Sequence, residues 1–314
     1  MWLPNAPRRV SINEVSVRDG FQIEPEFVPT EAKIALIDQL SDTGLARIEI
    51  TSFVSPKAIP NLRDAEAVAK RIRRNPAVVY TALVPNVRGC ERALDCALDE
   101  INLVMSASET HNLANMRMRC EQSLAQFAEV MQLARAGGLR ASGCVATAFG
   151  CPFEGAIAPE RVKWAAGRYL DLGMDSITLA DTTGMADPRQ VSALAESFLR
   201  WFPGVPLTLH FHNTRGMGLA NVMAGLAAGV DSFDASLGGL GGCPFAPGAT
   251  GNISTEDLVH MLESAGIDTG VDLDRLLGAA RGLPGLVGHD ISGQVVKAGK
   301  STDLHPVPEW VGAR

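Results

Sequence analysis

The sequence predicts an α/β protein, a (β/α)8 barrel of the TIM type. Three observations carry this. Eight strand-like segments, each followed by a helical one, succeed one another along 314 residues. The strands are short and apolar, as in a parallel sheet covered on both faces. No glycine-rich phosphate turn follows the first strand; Arg18-Asp19-Gly20-Phe21-Gln22 stands there, which argues against an open doubly wound sheet.

The elements follow in order. Val10–Val17 reads as the first strand, with Arg18-Asp19-Gly20 as the loop after it. Thr30–Thr43 has helical periodicity, with Thr30 as N-cap and Gly44 as the stop. Arg47–Phe53 is the second strand and Asn61–Arg73 a helix. Val78–Val84 is the third strand, ended by Pro85-Asn86, and Val87–Ala97 its helix. Ile101–Ser106 is the fourth strand, and Ser108–Ala136 is mostly helical up to Gly137-Gly138. Arg140–Phe149 is the fifth strand and Pro159–Leu172 a helix. Ser176–Ala180 runs into Asp181, and Pro188–Trp201 is helical. Leu207–His212 is the seventh strand, Gly216–Ala228 a helix, and Ser232–Ser236 the eighth strand. Thr255–Ala265 and Leu273–Gly282 are extra helices, so residues 1–314 read as one barrel domain with a helical extension from about 254.

Composition narrows the function classes. The chain is 46% hydrophobic and carries a net charge of −7 without any basic block, which excludes nucleic acid as an expected partner. No uninterrupted apolar run is long enough for a bilayer, and the first residues have no signal-peptide core. A soluble cytoplasmic protein with no membrane partner is expected. Six cysteines, at 90, 96, 120, 144, 151 and 243, are scattered without CxxC pairs, which argues against a disulfide framework or zinc–thiolate site.

A barrel places its active site at the C-terminal ends of the strands. Polar residues fall there at six strand ends: Arg18 and Asp19; Glu49 and Ser52; Ser106, Ser108 and Glu109; Asp181 and Thr182; His210 and His212; and Cys243 with Asn252 in the loop after strand eight. His210 and His212, two apart on a strand, point to one side and can share a cation. Four glycines occupy five positions in Gly238–Gly242, a composition suited to a loop that approaches a ligand. Cys243 follows directly, in a setting better suited to chemistry than to packing.

These residues bring a family with them. Val17–Gln22, Ile48–Lys57, Ala180–Thr182, His210–Thr214 and above all Gly238–Asn252 resemble the 3-hydroxy-3-methylglutaryl-CoA lyases, metal-dependent barrels that cleave carbon–carbon bonds. The resemblance implies a divalent cation, Mg²⁺ or Mn²⁺, on Asp19, His210, His212 and Asn252. It implies an acyl-CoA substrate cleaved to acetyl-CoA and acetoacetate, as in leucine degradation, and a homodimer. Arg18, Cys243, His210, Glu49 and Asp181 are the implied catalytic group. Arg18, Gln22, Ser52 and Thr182 are the implied substrate contacts.

Two departures from the family pattern stand out. Phe21 and Ile23 replace residues of the usual run, and Ile23 takes the place of a polar one. Gly288–Gly293 lies where family members tend to carry a basic stretch that helps hold coenzyme A. A paralogue acting on another branched 3-hydroxyacyl-CoA is therefore an alternative. Acyl-CoA synthases and 2-oxo-acid aldolases of the same superfamily are further ones, and the cysteine loop argues against both.

Overall fold

The structure is a computed structural model and describes residues 6–242, 251–308 and 311. Eight parallel strands close a barrel in sequence order. They are β1 (Ser11–Glu14), β2 (Arg47–Ser52), β3 (Val79–Leu83), β4 (Glu100–Ser106), β5 (Arg140–Ala146), β6 (Ser176–Asp181), β7 (Leu207–Phe211) and β8 (Ser232–Ala235). β8 closes onto β1 through the pairs Ser11–Ser232 to Glu14–Ala235.

The helices form the outer layer: α1 (Thr30–Ser41), α2 (Ala65–Arg71), α3 (Val87–Leu94), α4 (Glu109–Met116), α5 (Cys120–Ala136), α6 (Pro159–Asp171), α7 (Pro188–Trp201) and α8 (Gly218–Ala227). α9 (Thr255–Ser264), α10 (Leu273–Val287) and the short α11 (Val295–Ala298) follow the barrel.

Alternation along the strands separates two environments. Ile12, Ile48, Ile50, Ile101, Leu103, Val145, Ile177, Leu179, Leu209, Phe211 and Phe233 are fully buried and belong to the apolar core. The intervening positions are polar, and they bond to one another inside the barrel. Asn13 donates to Ser232 Oγ (3.2 Å) and Asp234 Oδ1 (2.9 Å); Thr208 and Ser232 share a 3.0 Å bond; Arg47 pairs with Glu100 at 2.9 Å. The barrel interior is thus a polar lumen. The apolar runs of the sequence mark only the helix-facing side.

Several boundaries differ from expectation, each for a local reason. β1 stops at Glu14 because the buried Glu14 carboxylate takes the Ser16 amide (2.8 Å), the Leu237 amide (2.9 Å) and the Thr255 hydroxyl (2.7 Å). The chain then winds into one π-helical turn, Ser16–Gly20, where the amides of Arg18, Asp19 and Gly20 all reach Val15 O. Thr30 is the first residue of α1, and its hydroxyl bonds Asp64 Oδ2 (2.8 Å), so it does not cap the helix. The long helical stretch breaks into α4 and α5 at Arg117, which adopts a left-handed conformation. α10 runs past Gly282, through Pro284, to Val287.

Candidate active site

β7 delivers the two histidines. His210 lies on the strand and His212 one residue past its end, with ring centroids 5.1 Å apart. The π-turn after β1 delivers Asp19. One donor atom from each of Asp19, His210 and His212 lies within 4.8 Å of the others, and all three residues are buried.

Asn252 arrives from the opposite direction. It forms an antiparallel bridge with His212, and its neighbours hydrogen-bond the ends of β7 and β8 (Ile253 N to Phe211 O, Ser236 N to Ile253 O). Its amide nitrogen donates to Asp19 Oδ2 (2.7 Å) and Leu240 O (2.9 Å). Gly241 lines the same spot at φ +106°; a Cβ there would stand 2.6 Å from Asn252 Nδ2, so only glycine fits.

The donor set fits a divalent cation. Asn252 Oδ1 is buried without a hydrogen-bond partner among the described residues. An orphaned carbonyl of this kind costs about 1–3 kcal/mol unless something satisfies it. A carboxylate and two imidazoles gathered within 4.8 Å, beside an unpartnered amide carbonyl on the residue that bonds Asp19, are the mixed oxygen and nitrogen ligands a hard or borderline cation takes.

Arg18 stands beside this cluster and is buried. Its Nε donates to Glu49 Oε2 (2.5 Å) and its Nη1 to Asp19 Oδ1 (2.7 Å), while Asn102 supports Glu49 from β4 (3.2 Å). Burial alone would lower the guanidinium's pKa, but the charges of Glu49 and Asp19 outweigh it and keep Arg18 protonated. For Asp19, burial pushes the carboxyl upward, and the Arg18 charge and the His212 contact more than reverse that, holding it well below the usual carboxylate range.

The chain matches the HMGL-like family over residues 9–282. It belongs to that family. The hydroxymethylglutaryl-CoA lyase of Bacillus subtilis is 46% identical over 296 residues, which cover 94% of this chain and 99% of the relative. The (R)-citramalyl-CoA lyase of Chloroflexus aurantiacus is 42% identical, covering 92% of this chain and 95% of its own. A solved HMG-CoA lyase from A. baumannii, in complex with coenzyme A and 3-methylmalate, is 56% identical with a TM-score of 0.92, covering 95% and 98% of the two chains.

Within this HMGL-like site the other expected residues take distinct places. Gln22 joins the cluster, its Nε2 donating to Asp19 Oδ1 (2.9 Å). Asp181 sits at the end of β6, but both its oxygens accept backbone amides, from Met185 (2.8 Å) and Ala186 (3.1 Å), and fix the following loop. Thr182 Oγ1 accepts from the Thr147 amide (3.1 Å). Ser52 is buried and accepts from the Val54 amide (3.3 Å). The end of β4 serves the scaffold: Ser106 bonds the His111 ring and Ser108 caps α4. Cys243 lies outside the described residues. The Gly288–Gly293 segment clamps the base of the glycine-rich stretch, with Ser292 N (3.0 Å) and Ser292 Oγ (3.1 Å) both donating to Gly238 O. His289 Nε2 ties the same segment to Glu24 (2.7 Å).

Asp234 and Cys144 are additions from the structure. Cys144 lies in the lumen on β5, where burial, then the nearby Asp234 charge, push its thiol upward. Asp234 Oδ2 is 3.1 Å from His210 Nδ1, which leaves Nε2 as the ring nitrogen available to a cation. Burial would lower the His210 pKa, but the Asp234 bond and charge raise it. A carboxylate behind a ligating imidazole fixes its tautomer and raises its basicity. Ser232 and Asp234 alternate on β8 as His210 and His212 do at the end of β7, a sequence signal that could have marked Asp234. Asp234→Ala is expected to weaken Mn²⁺ binding by about 10–100-fold, read by the free-Mn²⁺ paramagnetic signal. Unchanged affinity in a folded variant would remove Asp234 from the site.

Proposed function

We propose that the chain cleaves 3-hydroxy-3-methylglutaryl-CoA to acetyl-CoA and acetoacetate, with Mg²⁺ or Mn²⁺ held by Asp19, His210, His212 and Asn252. The carrying observation is the junction at Asp19, one carboxylate shared between the three-donor cluster and the buried Arg18 fork. It sets a cation site and a fixed guanidinium side by side. That is what breaking a bond between an alcohol carbon and a thioester α-carbon requires.

The C2–C3 bond breaks as the C3 hydroxyl loses its proton. The oxygen's electrons become the ketone carbonyl of acetoacetate, and the C2–C3 pair becomes the enolate of acetyl-CoA. A bound divalent cation would polarise the C3 hydroxyl and lower its pKa. His210, backed by Asp234, and Asp19 are the candidate bases for that proton. Arg18 holds positive charge where the thioester oxygen becomes negative, and its Nη2 has no hydrogen-bond partner among the described residues. Glu49 keeps that guanidinium oriented. Cys243 is placed by its sequence context as the acid that protonates C2 of the departing enolate. The same reading makes the chain one barrel domain, working as a cytoplasmic homodimer in leucine breakdown; the family resemblance supports the homodimer and the pathway. Among the described residues no helix is long and apolar enough to cross a membrane.

A second reading, cleavage of another branched 3-hydroxyacyl-CoA, is favoured by Ile23. That side chain is 43% exposed and lines a recess of about 240 Å³ with Gly239, Gly241 and His289. A relative at 42% identity carries the citramalyl-CoA lyase name. Purified protein with Mg²⁺ is offered 3-hydroxy-3-methylglutaryl-CoA and citramalyl-CoA separately, following acetoacetate and pyruvate. The first substrate is expected to give the higher kcat/KM. A higher value for citramalyl-CoA moves the assignment to the second reading, and cleavage of neither sinks both.

A further inference from the structure

Asn13 lies inside β1, where an asparagine is disfavoured twice: by the strand, and by burial of an amide. It is 5% exposed. Both amide hydrogens are used, since Nδ2 donates to Asp234 Oδ1 (2.9 Å) and to Ser232 Oγ (3.2 Å). Strand register explains the meeting. Asn13 is level with Asp234 across the β1–β8 pair, and Asp234 is level with His210 across the β8–β7 pair. The three side chains therefore stand in one row around the lumen wall, bonded in the order Asn13, Asp234, His210. Ser232, two residues earlier on β8, bonds Thr208 (3.0 Å) and so gives Asn13 a second fixed point. Arg47 is level with Asn13 on the other side, but its charge is spent on Glu100 (2.9 Å). Each oxygen of Asp234 thus has one side-chain partner among the described residues: Oδ2 has His210 Nδ1 and Oδ1 has Asn13 Nδ2.

We propose that Asn13 is a positioning residue for the cation site: it locks the plane of the Asp234 carboxylate, which in turn holds the His210 ring at the angle that presents Nε2 to a divalent ion. The proposal rests on the cation reading of the Asp19, His210 and His212 cluster. The physical case is one of torsion and charge. A carboxylate held at one oxygen still turns about its Cβ–Cγ bond, whereas one held at both has a fixed plane. Without the Asn13 amide, Oδ1 has no partner in the lumen wall, and the carboxylate gains by turning away from His210 to find one. The imidazole behind which it stands then loses its fixed direction. An amide suits this task because it donates two hydrogen bonds and brings no charge. A lysine or arginine at the same position would neutralise Asp234 as well as hold it, and would place a positive charge beside a cation site.

The test is a double-mutant cycle read by Mn²⁺ binding to the full chain, from the paramagnetic signal of the free ion. Its corners are wild type, Asn13→Val, Asp234→Ala and the double variant. Valine is close to asparagine in size and favours a strand, but it has no donor. Asn13→Val is expected to raise the Mn²⁺ Kd about tenfold. In the Asp234→Ala background the same substitution is expected to change Kd less than about twofold, because the group through which Asn13 acts is gone. Asn13→Ala repeats both arms should valine prevent folding. Ser142→Ala, which removes a buried strand hydroxyl on β5 that bonds only Ile101 O (3.4 Å), is expected to leave Kd unchanged. Circular dichroism and thermal melts accompany each variant. Wild-type Mn²⁺ affinity in a folded Asn13 variant, with or without a lowered Tm, overturns the proposal and makes Asn13 a packing residue. An equal loss in both backgrounds overturns it too, since Asn13 would then act without Asp234. A wild-type chain that binds no Mn²⁺ sinks the cation reading itself, a result distinct from either.

Discussion

Arg18→Lys is expected to lower turnover by on the order of 10²-fold or more, the scale of losing one preorganised electrostatic contact. The structure gives the reason. Arg18 reaches Glu49 through Nε and Asp19 through Nη1 at the same time, and its Nη2 has no hydrogen-bond partner among the described residues. A lysine keeps the charge but has one nitrogen and no planar fork. It can satisfy a carboxylate or face the thioester oxygen, and does neither in a fixed direction. The loss falls on an interaction made in the transition state, so kcat is expected to fall more than KM rises. Cation affinity should stay within a few-fold of wild type, because Asp19, His210, His212 and Asn252 remain. Steady-state kinetics alongside Mn²⁺ binding separates the two effects. Turnover near wild type would make Arg18 a brace for Glu49 and Asp19 and leave the enolate to another group.

His212→Ala is expected to abolish most divalent-cation binding and activity while the barrel stays folded. Its Nε2 is 3.6 Å from Asp19 Oδ2, and its Nδ1 has no hydrogen-bond partner among the described residues, so the ring contributes little to holding the scaffold. The backbone contacts that matter locally, His212 N to Asp181 O and the bridge to Asn252, survive in alanine. Removing one of the four proposed side-chain ligands from a compact site leaves too few to displace the cation's water. Calorimetric Mg²⁺ and Mn²⁺ titration, with circular dichroism as the folding control, reads this directly. Unchanged metal dependence in a folded variant would reject His212 as a ligand.

How much of this was legible beforehand depends on the range of the interaction. Asp19, His210 and His212 could be selected because strand ends in a barrel share one rim and an i, i+2 pair shares one face. Asn252 and Gln22 were named through the family pattern, and the structure sets both against Asp19. Asp181 and Thr182 were selected by the same strand-end rule and given their roles by the family pattern; their oxygens hold backbone amides of the loops around them. A strand-end carboxylate looks the same in sequence whether it faces a ligand or a turn. Asp234 went unmarked because its partner His210 is 24 residues away, and only the β7–β8 register sets them side by side.

The sequence by itself determined the barrel, its strand order and the family, because alternating apolar runs and helical periodicity are local properties that a parallel closed sheet follows from. Tertiary structure alone decided the rest. Closure put polar positions of different strands within hydrogen-bonding distance, making a lumen out of residues that read separately as interruptions of apolar runs. Burial of Glu14 ended β1 early and wound the π-turn that aims Arg18 and Asp19 together. Side-chain direction and charge pairing depend on neighbours distant in the chain, and no local pattern encodes them.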